Sequence, residues 1–240
     1  MRKIGLIAGM SWESSAIYYK HINKMVGASL GGVHSAEIIM YSVDYDPYIS
    51  LGAKGNWEEV GRRVTEIARK LERAGAECIL VCCNTVHMIA DVVETSVNVP
   101  FLHIVDPCGE AILEKGLQKV GLIGTNATME REFFKGRLLE KFCIETVVPS
   151  VEDRAYIDQA IKKEFCRGHF YPETKKRFLT IIEKLEAAGA EGVILGCTEI
   201  PILLSENDFS IPGFDTTFLH SKAAVSFALE TNLQLINHAS

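Results

Sequence analysis

Residues 71–85 read LERAGAECILVCCNT, and residues 185–199 read LEAAGAEGVILGCTE. With residue 71 laid on residue 185, Gly75 meets Gly189, Glu77 meets Glu191 and Cys83 meets Cys197. Two further matches flank this one in the same order. KIGLIAGM, from Lys3, matches KVGLIGTN, from Lys119, and PFLHIVD at 100–106 more weakly matches IPGFD at 211–215. Three ordered matches indicate a chain built from two copies of one unit.

Each copy alternates strands and helices. In the first, Ile4–Ala8 and 36–43 predict strands, and the patterns at 14–28 and 57–74 predict helices, the second ending at Gly75 as a C-terminal glycine cap would. Residues 78–82 form a continuous apolar run, the mark of a central parallel strand covered on both faces. A fourth strand is expected over 101–105. The second copy predicts strands near 120–124, 144–148, 192–196 and 211–214, and helices near 130–141, 153–166 and 173–188. A last helix runs from about 217 to 230 and is expected to pack back on the first copy. Such alternation implies an α/β fold with parallel sheets between helices. The expected architecture is two pseudo-twofold-related domains, each a parallel four-stranded sheet flanked by helices, with the active site in the interdomain cleft. The domains are expected at residues 1–98 plus 216–240 and at 99–215.

Open parallel sheets bind ligands beyond the carboxyl ends of their strands. Cys83 and Cys197 occupy that position, each just after the third strand of its copy. Both are followed by small polar residues, Asn84-Thr85 and Thr198-Glu199, which are poor core material. Cys82, one residue inside the strand, reads as a core thiol.

One thiol per copy suits a particular chemistry. Inverting an amino-acid Cα means removing a proton from one face and returning one to the other. Two bases on opposite sides do this without moving around the carbon. A cysteine ionises near pH 8.5, and a helix N-terminus, expected after each thiol, favours the thiolate. The carbanion-like state needs stabilisation from backbone N–H groups at these junctions and from Asn84, Thr85, Thr125 and Thr198. His87, one turn after Cys83, is a candidate to tune that thiol or to make a structural bond. Glu199 could orient Thr198, meet a substrate ammonium or cap the next helix. Gly9-Met10-Ser11 could present backbone N–H groups to the site, with Thr125 as its counterpart in the second copy.

Composition excludes other classes. The chain has 240 residues, is 48% hydrophobic and 23% charged, and carries a formal charge of −6. Its acidic balance gives no footprint for nucleic acid, and Lys175-Lys176-Arg177 reads as a solvated helix face. No stretch is apolar enough for a membrane span. The opening MRKIGLIAGMSWESS is too short and too broken by Gly5, Gly9 and Glu13 for a signal peptide. Seven cysteines, an odd number without a C-x-x-C pair, suit a reducing compartment, so a cytoplasmic location is expected. His34, His103, His169 and His220 lack metal-ligand spacing and read as structural or exposed. No dinucleotide or Walker loop occurs, and no lysine is placed to hold pyridoxal phosphate. The expectation is an enzyme with no cofactor and no metal.

The segments GLIAGMSWESS, CNTVH, LIGTNATM, GCTEIP and FDTT resemble, in order, the landmarks of the aspartate/glutamate racemase family. The resemblance spans about residues 3 to 230. It is nearest to a bacterial branch whose first motif reads GGMSWEST, which includes broad-specificity amino-acid racemases. It implies a two-domain α/β isomerase that uses neither pyridoxal phosphate nor metal, acts on aspartate, glutamate or a related amino acid as its small-molecule substrate and commonly forms homodimers. It implies that Cys83 and Cys197 are the catalytic pair. Asn84, Thr85 and Thr198 match substrate-binding positions, and Met10, Ser11, Thr125 and Glu199 join them as candidates. Two departures concern substrate choice. Some aspartate racemases carry an arginine in the loop after the second strand, where this chain has VDYDPYISLGAKGNW with Lys54 as the one cation. Some carry a lysine where this chain reads Phe165-Cys166-Arg167-Gly168. Some members of that near branch replace the first cysteine with threonine and act on one hand of substrate; retention of Cys83 implies turnover of both. Competing readings are a maleate isomerase-like or hydantoin racemase-like enzyme on the same fold, and a two-lobed amino-acid-binding protein without catalysis.

Overall fold

The computed structural model describes residues 1–237, without the side chains of residues 206 and 231–237. Contacts divide it into two units, residues 1–103 with 220 onward, and residues 104–219. The divisions fall a few positions later than the repeat suggests.

The first unit begins with β1 (Ile4–Ala8), α1 (Trp12–Leu30), β2 (Ile38–Ser42), α2 (Asp46–Ala53), α3 (Trp57–Arg73) and β3 (Cys78–Val81). Its sheet is parallel, ordered β2-β1-β3, with Ile4 opposite Ile38 and Cys78. Every residue of β1 and β3 is buried, because helices cover both faces. On one face, α3 contributes Val60, Val64, Ile67, Ala68 and Leu71 at helical spacing against Ile7, Ile79 and Val81. On the other lie Tyr18, Ile22 and Val26 of α1 with Leu6 and Leu80. Each such aliphatic side chain stabilises the fold by about 1.5–3 kcal/mol when fully buried. The α3 helix starts where Asn56 accepts the Glu59 N–H at 3.2 Å. It stops at Gly75, whose φ of 97° suits the left-handed turn that a side chain would resist.

Two expectations for this unit are corrected. The fourth strand over 101–105 is reduced to one parallel bridge, Ile79 with Phe101, flanked by bonds from Ile79 N–H to Pro100 and from Leu102 N–H to Ile79. This sheet therefore has three strands. Pro100 has no N–H to extend the ladder, and the chain turns at once into α5 (Val105–Glu114), after the short α4 (Ala90–Glu94). The loop after β2 contains the helix α2, opened by Asp46 and Pro47 in its first turn.

The second unit, after α5, continues β4 (Lys119–Gly124), α6 (Asn126–Glu130), α7 (Glu132–Phe142), β5 (Glu145–Val147), α8 (Val151–Lys163), α9 (Pro172–Ala187), β6 (Val193–Gly196), α10 (Ile200–Leu203) and β7 (Gly213–Asp215). Its four strands are parallel, in the order β5-β4-β6-β7. Phe134, Phe165, Phe178, Ile157, Ile181 and Leu185 pack on its faces. Finally, α11 (Thr216–Asn237) brings Ala224, Val225, Ala228 and Leu229 against Leu6, Leu80 and Tyr18 of the first unit, the return expected of the last helix.

Candidate active site

In the first unit, β1 ends at Gly9, whose φ is 91°. A Cβ there would collide with the Val43 backbone. The Gly9 N–H donates to Ser15 Oγ at 2.9 Å, and Ser15 Oγ donates to the Ser11 carbonyl at 2.8 Å. Ser11 is the N-cap of α1 and accepts from the Ser14 N–H. Met10 is buried in the same cluster as Cys83, Val86 and Ile7. The turn expected to offer backbone to a ligand is thus pinned by three serines.

Cys83 follows β3 and is 8% exposed. The Cys82 N–H extends the ladder to Ile7 at 2.9 Å. Asn84 precedes a 3₁₀ turn at Thr85–Ile89, where its carbonyl accepts the His87 N–H at 3.0 Å. His87 Nδ1 lies 2.8 Å from the Cys83 carbonyl. A carbonyl only accepts, so Nδ1 carries the hydrogen. The His87 ring also packs within 4.8 Å of His103 and 5.7 Å of His220, centroid to centroid. His220 donates from Nε2 to the Leu102 carbonyl at 2.7 Å, so in the neutral ring Nδ1 accepts from Tyr18 Oη at 2.9 Å. Sequence reasoning missed this buried histidine cluster behind Cys83. Its members lie far apart in the chain, and spacing alone could not find them.

In the second unit, Thr125 occupies the place of the first unit's serine turn. Its hydroxyl N-caps α6 by accepting the Thr128 N–H at 3.3 Å. Cys197 follows β6 and is 7% exposed. Thr198 and Glu199 beside it are also buried. Cys197 Sγ lies 3.0 Å from Glu199 Oε2, and Thr198 Oγ1 donates to the same oxygen at 2.9 Å. The FDTT segment closes the unit: Asp215 Oδ1 accepts the Thr217 N–H at 2.8 Å, and Thr216 Oγ1 donates to the Leu195 carbonyl at 3.0 Å.

The thiols divide by environment. Burial pushes Cys78 up to about 12 and raises Cys82 and Cys108 further, so these three are inert packing groups. Burial is also the largest influence on Cys197, and the Glu199 carboxylate adds to it by charge and hydrogen bond, so this thiol ionises well above the usual range. That corrects the expectation of a helix N-terminus favouring a thiolate here. The helix that follows Cys197 is the four-residue α10, and the group against the sulfur is the Glu199 carboxylate.

The cations available after β2 and in 165–168, Lys54 and Arg167, are both exposed. Among the described residues, no three His, Cys, Asp or Glu side chains are grouped to hold a metal ion. No helix among them is long and apolar enough to cross a membrane.

The fold has counterparts in known proteins. A broad specificity amino-acid racemase of Bacillus subtilis is 24% identical over 227 residues, covering 93% of this chain and 96% of that one. The crystal structure of a Yersinia pestis protein described as an Asp/Glu racemase shares 45% identity with a TM-score of 0.90, over 95% of this chain and all (100%) of that one. An aspartate racemase homologue from Pyrococcus horikoshii shares 36% identity with a TM-score of 0.83, over 95% and 99% of the two chains. The Asp/Glu/hydantoin racemase family matches residues 7–224. By that match and these relatives, the chain belongs to the Asp/Glu/hydantoin racemase family.

Proposed function

We propose that the protein is a cofactor-independent amino-acid racemase in which Cys83 and Cys197 exchange protons with opposite faces of one Cα. The observation that carries this reading is the repeated thiol: just beyond its third strand each copy has a cysteine that is nearly but not wholly covered, at 8% and 7% exposure. Core thiols such as Cys78 and Cys82 are fully covered, and the repeat does not preserve them.

In this reading one sulfur, as thiolate, takes the α-proton while the other, as thiol, delivers a proton to the far face; the roles reverse for the other enantiomer. The intermediate carries negative charge, so donors must face the substrate carboxylate and the forming carbanion. In this proposal Asn84, Thr85, Thr125 and Thr198 are the amide and hydroxyl donors, and the turns at Met10-Ser11 and Thr125 give backbone N–H groups. These proposed donors, in place of a cofactor's electron sink, stabilise the carbanion-like charge, while the two thiols provide the proton transfers. A homodimer in the cytoplasm belongs to the same proposal; light scattering of the purified chain tests the assembly.

Incubation with single enantiomers of a panel of amino acids, with maleate and a 5-substituted hydantoin alongside, followed by chiral chromatography, tests the function. The proposal expects racemisation of at least one amino acid from both hands, and a loss of at least about 100-fold in Cys83→Ser and in Cys197→Ser. Turnover of maleate or the hydantoin alone would replace it with another reaction of the same family. Full activity in either serine variant would contradict the pairing.

A further inference from the structure

The two copies differ chemically at their thiols. Laying one on the other sets Cys83-Asn84-Thr85 against Cys197-Thr198-Glu199, so only the second copy carries a carboxylate two residues beyond its cysteine. That carboxylate is 3% exposed. Glu199 stands at the head of α10 yet gives the helix no side-chain cap. Its Oε2 is turned instead to Cys197 Sγ at 3.0 Å and Thr198 Oγ1 at 2.9 Å.

An ionised carboxylate only accepts, so the hydrogen between sulfur and oxygen belongs to the sulfur. A thiolate there would place two negative charges about a hydrogen-bond length apart in a buried setting, where Coulomb repulsion is weakly screened. The Thr198 hydroxyl fixes the carboxylate in place. The first copy contrasts with this: behind Cys83 stands the His87 ring, whose Nδ1–H is spent on the Cys83 carbonyl.

We infer that Glu199 is a positioning residue that keeps Cys197 protonated between turnovers, so that Cys197 enters the cycle as the acid and Cys83 as the base. The inference rests on the racemase reading for its consequence but not for its chemistry. When Cys197 must act as the base, the same carboxylate can take the thiol proton: the S–H bond breaks, an O–H bond forms on Oε2, and the pair keeps one negative charge throughout. Enantiomers are equally stable, so kcat/KM must remain equal in the two directions. The asymmetry appears in kcat and KM separately and in the pH profiles of each, not in that of their ratio.

The test is the pH dependence of iodoacetamide modification at Cys197, read by peptide mass spectrometry on the full chain and normalised to its own maximum, with exposed Cys143 as internal reference. In the wild type, Cys197 should reach half-maximal reactivity at a higher pH than Cys143. In Glu199→Gln the Cys197 profile should move at least one pH unit lower, about a tenfold gain in relative rate at pH 8. The alkaline limb of kcat/KM should move the same way, and Glu199→Asp, which restores a carboxylate, should recover part of the wild-type profile. Coincident profiles for Cys197 in wild type and Glu199→Gln overturn the inference. If the glutamine variant does not fold, a wild-type Cys197 that ionises no higher than Cys143 overturns it. A shifted thiol profile without racemisation of any amino acid would instead reject the proposed function and leave the thiol–carboxylate pair standing.

Discussion

Glu77 and Lys3 are joined twice: Glu77 Oε2 accepts the Lys3 N–H at 2.8 Å, and the Glu77 N–H donates to the Lys3 carbonyl at 2.8 Å. The second unit repeats the device. Glu191 Oε2 accepts from Gln118 and Lys119 N–H at 2.9 and 3.0 Å, and the Glu191 N–H donates to Lys119 at 2.8 Å. The repeated glutamate therefore serves the start of the central strand, one sheet's length from the thiol. Those two backbone bonds hold the Glu191 carboxyl below its usual range. Glu77→Ala and Glu191→Ala are expected to lower the melting temperature by a few degrees and leave KM unchanged. Calorimetry and kinetics on the two variants check this; a KM change without a stability change would give the residues a role in the site.

Two glycines set the backbone where the candidate site begins. Gly9 combines a positive φ with a hydrogen position that faces the Val43 backbone, so Gly9→Ala is strained and crowded at once. Gly196, last residue before Cys197, would bring a Cβ to 3.0 Å from the Ile123 carbonyl and from Leu122 Cδ1. Each alanine variant is expected to cost about 1–3 kcal/mol in urea unfolding and to reduce activity more than stability alone explains. Either variant at wild-type stability would contradict the packing described here.

Asp153 is buried in the second unit, bonded to Arg177 Nη2 at 2.6 Å and to Lys184 Nζ at 2.8 Å. Burial works to raise its pKa, but Lys184, Arg177 and the Ser150 cap together hold it below the ordinary value. A depressed carboxyl contributes stability above its unfolded pKa, near 3.9, and that contribution is lost as pH falls through the folded value. The wild type should therefore exceed Asp153→Asn in stability at pH 6, with the gap closing as pH falls below about 4. Urea midpoints across that range measure it, and a gap independent of pH would mean that the charge does not carry the effect.

The repeat made most of this legible. Gly75 and Gly189 mark the two helix ends, Glu77 and Glu191 mark the two strand starts, and CILV and VILG read as buried central strands because no face of them is polar. What stayed hidden depended on contacts between distant residues or on very short elements. Phe101 keeps one bridge because Pro100 and the nearby helix leave no room for more. The cluster of His87, His103 and His220 assembles from three separate segments. In the sequence Glu199 reads as an orienter of Thr198, a substrate contact or a helix cap; only the folded structure turns its carboxylate to Cys197 as well as to Thr198. Helix α2 was hidden because it is short and none of its residues is fully buried; Tyr48 and Leu51 lean on the core only half covered.

The most direct test of the two-thiol account is where deuterium goes. Each enantiomer of an accepted amino acid is incubated with the enzyme in D₂O, and Cα deuterium is measured in substrate and product at low conversion. Two bases on opposite faces predict deuterium in the product while the remaining substrate keeps its hydrogen, from either starting hand, with the signal lost in Cys83→Ser and Cys197→Ser. Deuterium entering recovered substrate as fast as product in the wild type would contradict it, as would inverted, deuterated product that still forms at the wild-type rate after removal of either sulfur.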